Sequence, residues 1–196
     1  TKNTWDYYKL WLNGFYFSDA QGNWAQDNIL DMAVKGWMRG ISDSRFAPDR
    51  HLTRAETAAI LVRSFDLEKK ESGDSFNDIS SHWAREEINI AAQNGVILGR
   101  GEGIFAPDEP VTRQEIAVML DRVLTWLENS EDSKNPYWDV NQARCQWSYE
   151  SILKMTRYGI FGGRPDGAFH PEERTLRSEM AALMSRAAGY IENTGS

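Results

Sequence analysis

The 196-residue chain is 41% apolar and 12% aromatic and carries a formal charge of −7, from 29 acidic and 22 basic residues. This composition supplies a real core and speaks against disorder, and the acidic balance disfavours unspecific capture of nucleic acid or of an anionic membrane surface. A single cysteine, Cys145, and three histidines exclude an internal disulfide and a closed zinc site, and no run approaches the ~20 apolar residues that span a bilayer.

No signal-like segment opens the sequence, so it reads as a mature or excised soluble piece. Residues 1–16 place Trp5, Tyr8, Leu12 and Phe15 on one helical face, which predicts an N-terminal helix that covers the remainder of the fold. From there the chain repeats itself. Trp24, Trp83 and Trp147 each begin the same ruler, with Ile29/Ile88/Ile152, then Gly36/Gly95/Gly159 and Gly40/Gly99/Gly163 at fixed offsets. Phe46/Phe105/Phe169, Pro48/Pro107/Pro171, Arg54/Arg113/Arg177, Glu56/Glu115/Glu179, Ala58/Ala117/Ala181 and Arg63/Arg122/Arg186 continue the register. Self-similarity on this scale marks a repeat architecture. An aspartate precedes each tryptophan, Asp19 and Asp78 by five residues and Asp139 by eight, so the one change of length falls in a loop.

Within each copy, apolar residues at helical spacing (Ile29, Met32, Ala33; Ile88, Ala91, Ala92) predict a first helix, which the glycine at 36, 95 or 159 stops with a left-handed cap backed by the next apolar residue. The connectors GISDSRFAPD, GRGEGIFAPD and GRPDGAFHPE follow, with phenylalanine and proline expected to pin them to the core. A second helix then starts with a capping box in two copies, Thr53 with Glu56 and Thr112 with Glu115, worth about 1 kcal/mol each. The third copy has Leu176 where threonine is expected and must be capped differently. The expected fold class is all-α: three tandem helix–loop–helix repeats at 17–67, 76–127 and 137–191, packed with pseudo-threefold symmetry around a central helical bundle, plus the N-terminal extension at 1–16. Alanines at 58, 117 and 181 would let the second helices approach closely.

The arginine in each first turn, Arg54, Arg113 or Arg177, opposes the helix macrodipole by a few tenths of a kcal/mol, which suggests a negative partner nearby. At ~100° per residue it points away from the capping glutamate and is expected to face outward. A helix N-terminus with free amides plus a guanidinium would suit a carboxylate or phosphate. The plainer alternative pairs each arginine with Asp19, Asp78 or Asp139 of a neighbouring copy, as a staple. Trp24, Trp83 and Trp147 are expected as core anchors in preference to sugar-stacking platforms, whereas Trp37, whose counterparts are Val96 and Ile160, is expected to be exposed. Arg63, Arg122 and Arg186 are taken as structural.

Asp-x4-Trp, the glycine connector with Phe-x-Pro, and TRAE at 53–56, nearly repeated at 112–115, resemble the S-layer homology domain in a set of three, covering about residues 17–190. The resemblance implies a bacterial cell-surface module of Gram-positive type that binds a secondary cell-wall polysaccharide non-covalently, without cofactor, metal or membrane insertion, and as a monomer. It implies grooves between repeats that take a pyruvylated N-acetylmannosamine end. Arg54, Arg113 and Arg177 would grip the pyruvate carboxylate, and Asp19, Asp78 and Asp139 would meet sugar hydroxyls or orient the arginines. Gly40, Gly99 and Gly163, with Arg100 and Arg164 and the aromatic Trp37, would complete the grooves. Ile41 in place of the connector arginine, and the altered third copy, predict unequal grooves. A glycoside hydrolase would need two carboxylates ~5–10 Å apart, and Glu56, Glu115 and Glu179 sit at caps instead. A helical-repeat protein-interaction module whose arginines are inter-repeat staples is the alternative function. The acidic charge counts against a helix-turn-helix reader of DNA, and the connectors lack a calcium-loop pattern.

Overall fold

The computed structural model describes residues 17–70, 73–128 and 134–192. The proposed N-terminal helix at 1–16 lies outside the described residues. Among the described residues six α-helices follow one another: α1 (Gln26–Val34), α2 (Arg54–Ser64), α3 (Arg85–Gln93), α4 (Arg113–Val123), α5 (Tyr149–Arg157) and α6 (Arg177–Glu192). Among the described residues there is no sheet, only isolated bridges such as Thr53 with Pro110 and Thr112 with Arg174. The all-helical repeat expected from the sequence is what forms.

Each first helix ends as its glycine dictates. Gly36, Gly95 and Gly159 have φ of 71°, 73° and 68°, and the amide of the following residue reaches back to Met32, Ala91 or Met155. That is the cap in which a left-handed residue lets the chain close on the last turn, with an apolar residue behind it. The apolar residue is buried in every copy, and in the first it is Trp37, 9% exposed. The expectation that Trp37 projects into solvent is thus corrected, because it fills the cap position held elsewhere by Val96 and Ile160.

The opposite correction applies to the tryptophans that open each copy. Trp24, Trp83 and Trp147 are 64%, 61% and 57% exposed, while the next residues, Ala25, Ala84 and Ser148, are fully buried. Each helix begins two residues after its tryptophan, and the small neighbour takes the inward position, so the indole is turned out. The core is built instead from Phe46, Phe105 and Phe169 of the connectors, with Ile29, Ile88, Ile116, Ile152 and the aligned alanines.

The chain divides into two compact units, Thr53–Thr175 and Thr1–Leu52 with Leu176–Ser196. In the first, α2 packs on α3 and α4 on α5; in the second, α1 packs on α6. Every pair joins the second helix of one copy to the first helix of the next, and copy three is followed by copy one. A helix therefore finds its principal partner in a neighbouring repeat.

Candidate functional site

The first-turn arginines are the organising residues. Arg54, Arg113 and Arg177 are only 2%, 5% and 4% exposed, which corrects the expectation that they face outward. Each reaches into the connector of the following copy. Arg54 donates from Nε to the Phe105 carbonyl at 2.8 Å and from Nη2 to Leu98 O at 2.9 Å. Arg113 repeats this on Phe169 O and Gly162 O, and Arg177 on Phe46 O and Arg39 O. The guanidinium carbon stands 4.6 Å from the ring centroid of Phe105, Phe169 or Phe46. Carbonyl dipoles and an aromatic face are the negative partners that make a cation tolerable in a first turn. The arginines are staples between repeats, held by main-chain oxygens, with carboxylates of the following repeat beside two of them: Glu115 against Arg54 and Glu173 4.0 Å from Arg113.

The helix N-termini are occupied too. The amides of Arg54 and Ala55 donate to Glu109 O and Pro107 O, those of Arg113 and Gln114 to Glu173 O and Pro171 O, and those of Arg177 and Ser178 to Arg50 O and Pro48 O. Thr53 and Thr112 complete capping boxes with Glu56 and Glu115. In copy three only the carboxylate half survives, with Leu176 N donating to Glu179 Oε2 at 2.9 Å, and the buried Thr175 hydroxyl has no partner. The free amides expected to receive an anion are thus already bonded to a neighbouring connector. The three glutamates hold their own helix starts.

Asp19, Asp78 and Asp139 act on the same connectors from the other side. The two carboxylate oxygens of each accept the amides of Phe46 and Ala47, Phe105 and Ala106, or Phe169 and His170, at 2.7–2.9 Å. These clamps hold Ala47, Ala106 and His170 at φ of 59°, 58° and 54°, in the left-handed region that side-chain-bearing residues seldom enter. Burial acts to raise the Asp78 pKa, but the amides of Phe105, Ala106 and Asp78 itself, with the charge of Arg54, together hold it below its ordinary value. Gly40, Gly99 and Gly163 serve close approach. A Cβ on Gly99 would lie 2.6 Å from Ile104 O and 2.7 Å from the Phe76 ring, and one on Gly163 would lie 2.7 Å from Tyr137. The aromatic partners Phe17, Phe76 and Tyr137, each two residues before the aspartate, escaped the sequence reading, although their shared position was visible.

Within the unit Thr53–Thr175 this scaffold leaves a groove of about 270 Å³. It is lined by Arg54, by Leu98 and Arg100 of the connector, by Glu115 and Arg122 of α4, and by Trp147. Glu115 Oε1 accepts Arg54 at 2.5 Å and Arg100 at 3.1 Å, and Arg100 also pairs with Glu109 at 2.8 Å. Three guanidinium groups and one carboxylate line the groove, a positive site on an acidic protein. Burial lowers the pKa of Arg54, with Glu115 opposing, and burial likewise lowers that of Arg122, with Asp121 opposing; both stay protonated at neutral pH.

Of the residues singled out from the sequence, the structure brings Arg54, Gly99 and Arg100 together here. Arg164 lies on the counterpart connector of copy three, paired through Nη2 with Glu173 at 2.7 Å. Trp147 and Arg122 were assigned to the core and to structure, yet they line this groove.

The profile of the S-layer homology domain matches residues 16–58, 75–117 and 137–181. The chain is similar to Cell surface glycoprotein 1 of Acetivibrio thermocellus, 33% identical over 165 residues, which is 78% of this chain and 7% of that protein. The Surface-layer 125 kDa protein of Lysinibacillus sphaericus is 38% identical over 114 residues, 55% of this chain and 10% of that one. An Endoglucanase of Bacillus sp. (strain KSM-635) is 29% identical over 176 residues, 88% of this chain and 19% of that one. The chain therefore spans less than a fifth of the length of each. A surface-layer protein and an endoglucanase both match it over this segment. The chain belongs to the S-layer homology domain family, and it is a non-catalytic module that anchors a protein at the cell-wall-associated surface of bacteria.

Proposed function

We propose that the chain anchors its parent protein by binding the pyruvylated end of a secondary cell-wall polysaccharide, and that the groove beside Trp147 is a working site. The observation that carries this is the concentration of Arg54, Arg100 and Arg122 in one recess of a chain with formal charge −7. A ketal-linked pyruvate presents a carboxylate on an otherwise neutral sugar, and arginine clusters recognise carboxylates by charge-assisted hydrogen bonds. The exposed indole of Trp147 offers a flat apolar surface to the C–H face of a sugar ring, and Leu98 extends it. A volume just below the ~300–1,000 Å³ of ordinary small-molecule sites suits a chain end in preference to an internal run.

The stapling role of Arg54 supports this reading, because a guanidinium fixed by Phe105 O and Leu98 O presents its charge without the entropy of a free side chain. The copies differ in the connector: the counterpart of Arg100 in copy one is Ile41, so unequal affinities are expected. Calorimetric titration with a pyruvylated wall-polymer fragment, and with the same fragment stripped of pyruvate, tests the proposal. Binding that requires the pyruvate supports it. Equal binding of both fragments, or of neither, removes it and favours a protein partner for a fold whose arginines serve as staples.

A further inference from the structure

The groove contains one guanidinium that the protein leaves unengaged. Arg54 is committed to two carbonyls and Glu115, and Arg100 to Glu109 and Glu115. Glu115 has no capacity left, since its Oε2 takes the Thr112 amide and hydroxyl while Oε1 takes the two arginines. Asp121, next to Arg122 in sequence, is bound to Lys154 at 2.7 Å and to the Ser151 hydroxyl at 2.7 Å. Among the described residues no hydrogen bond or ion pair satisfies Arg122, although the side chain is half-buried in the groove wall.

The repeat itself supplies the comparison. In copy one the corresponding Arg63 has a carboxylate, Glu87 of the following copy, at 3.6 Å. One copy later the position of Glu87 is held by Ser151, which turns to Asp121 instead. A glutamate-to-serine difference at one register position thus removes the internal counterion of Arg122 and leaves a half-buried cation facing a recess. A partly buried charge without a partner is costly unless something occupies the site.

Resting on the proposed polysaccharide site, we infer that Arg122 is the residue that receives the ligand carboxylate directly, and that Ser151 is the specificity determinant that keeps it available. Arg54 and Arg100 contribute background charge, and Arg122 contributes the new bidentate contact. The test uses the whole chain with two probes, the pyruvate ketal of methyl N-acetylmannosaminide and its methyl ester, in which the carboxylate is neutralised. Wild type is expected to prefer the acid to the ester. Arg122→Ala removes a charge-assisted pair and is expected to weaken acid binding about 10- to 100-fold, abolishing the preference with an unchanged urea midpoint. Ser151→Glu is expected to do the same by restoring the internal counterion, and Arg122→Lys to retain part of the preference. If Arg122→Ala still prefers the acid, the inference is overturned and the carboxylate belongs to Arg54 or Arg100, with the polysaccharide site intact. If wild type binds neither probe, the site itself is overturned and the inference with it.

Discussion

Removing Arg113 separates a staple from a ligand-binding arginine, because Arg113 does not line the groove beside Trp147. Arg113→Ala deletes a charge-assisted hydrogen bond to the buried Phe169 carbonyl, another to the part-buried carbonyl of the exposed residue Gly162, and the contact of the guanidinium with the Phe169 ring. Water replaces the bond at Gly162, so that loss is small. The Phe169 carbonyl is left without this donor at a fully buried residue, at about 1–3 kcal/mol, and the desolvated cation–π contact adds about 2 kcal/mol. The expected destabilisation is about 3–5 kcal/mol, a large part of the ~5–15 kcal/mol that holds a typical domain together. Urea unfolding followed by tryptophan fluorescence measures it, with the slope of free energy against denaturant checked for constancy. Arg113→Met, which keeps the stem packed on Phe169, is expected to recover part of the loss. A change below about 1 kcal/mol at constant slope would refute the stapling role.

Gly99→Ala places a methyl within 2.7 Å of both Ile104 O and Phe76 and is expected to cost about 1–3 kcal/mol in the same unfolding assay, whereas Gly162→Ala, with nothing within 4 Å, is expected to be near neutral. Thr175→Val removes a buried hydroxyl that has no partner and is expected to be neutral or stabilising, while Thr53→Val loses a helix cap and about 1 kcal/mol. Asp78 has a depressed folded pKa, so its stabilisation is fully present above the unfolded value of about 3.9 and is lost as pH falls through the folded value. Acid titration should therefore show the advantage of wild type over Asp78→Asn at neutral pH shrinking below about pH 4. Trp147→Ala is expected to leave the unfolding midpoint within about 0.5 kcal/mol of wild type, given the exposure of the indole, and to weaken polymer binding by calorimetry.

The helices, their glycine stops, the capping boxes and the connector phenylalanines were all legible, because each depends on local chemistry that three aligned copies make unmistakable. Exposure was harder to read. A tryptophan at the head of an amphipathic helix looks like an anchor, and nothing local reveals that Ala25, Ala84 or Ser148 takes the inward position. Trp37 misled in the other direction, since its difference from Val96 and Ile160 suggested novelty where the shared cap position demanded burial. The arginines were recognised as unusual and as needing a negative partner. Main-chain carbonyls of another repeat fill most of that need, beside Glu115 at Arg54 and Glu173 near Arg113, and carbonyls are the same in every residue, so no side-chain pattern announces them. Arg122 became visible only once Glu115 and Asp121 were seen to be committed elsewhere.

The order in which the staples run carries a consequence for copy number. Each repeat gives an arginine to the next and receives one from the one before, and Arg177 returns the series to Phe46. With two repeats the donor of one and the connector of the other would both be unsatisfied, and the chemistry that closes the series within one molecule would then operate between molecules. A chain truncated by one repeat should accordingly swap elements with its neighbours, forming dimers or open strings as its concentration rises. Three copies are where this donor–acceptor series becomes self-contained.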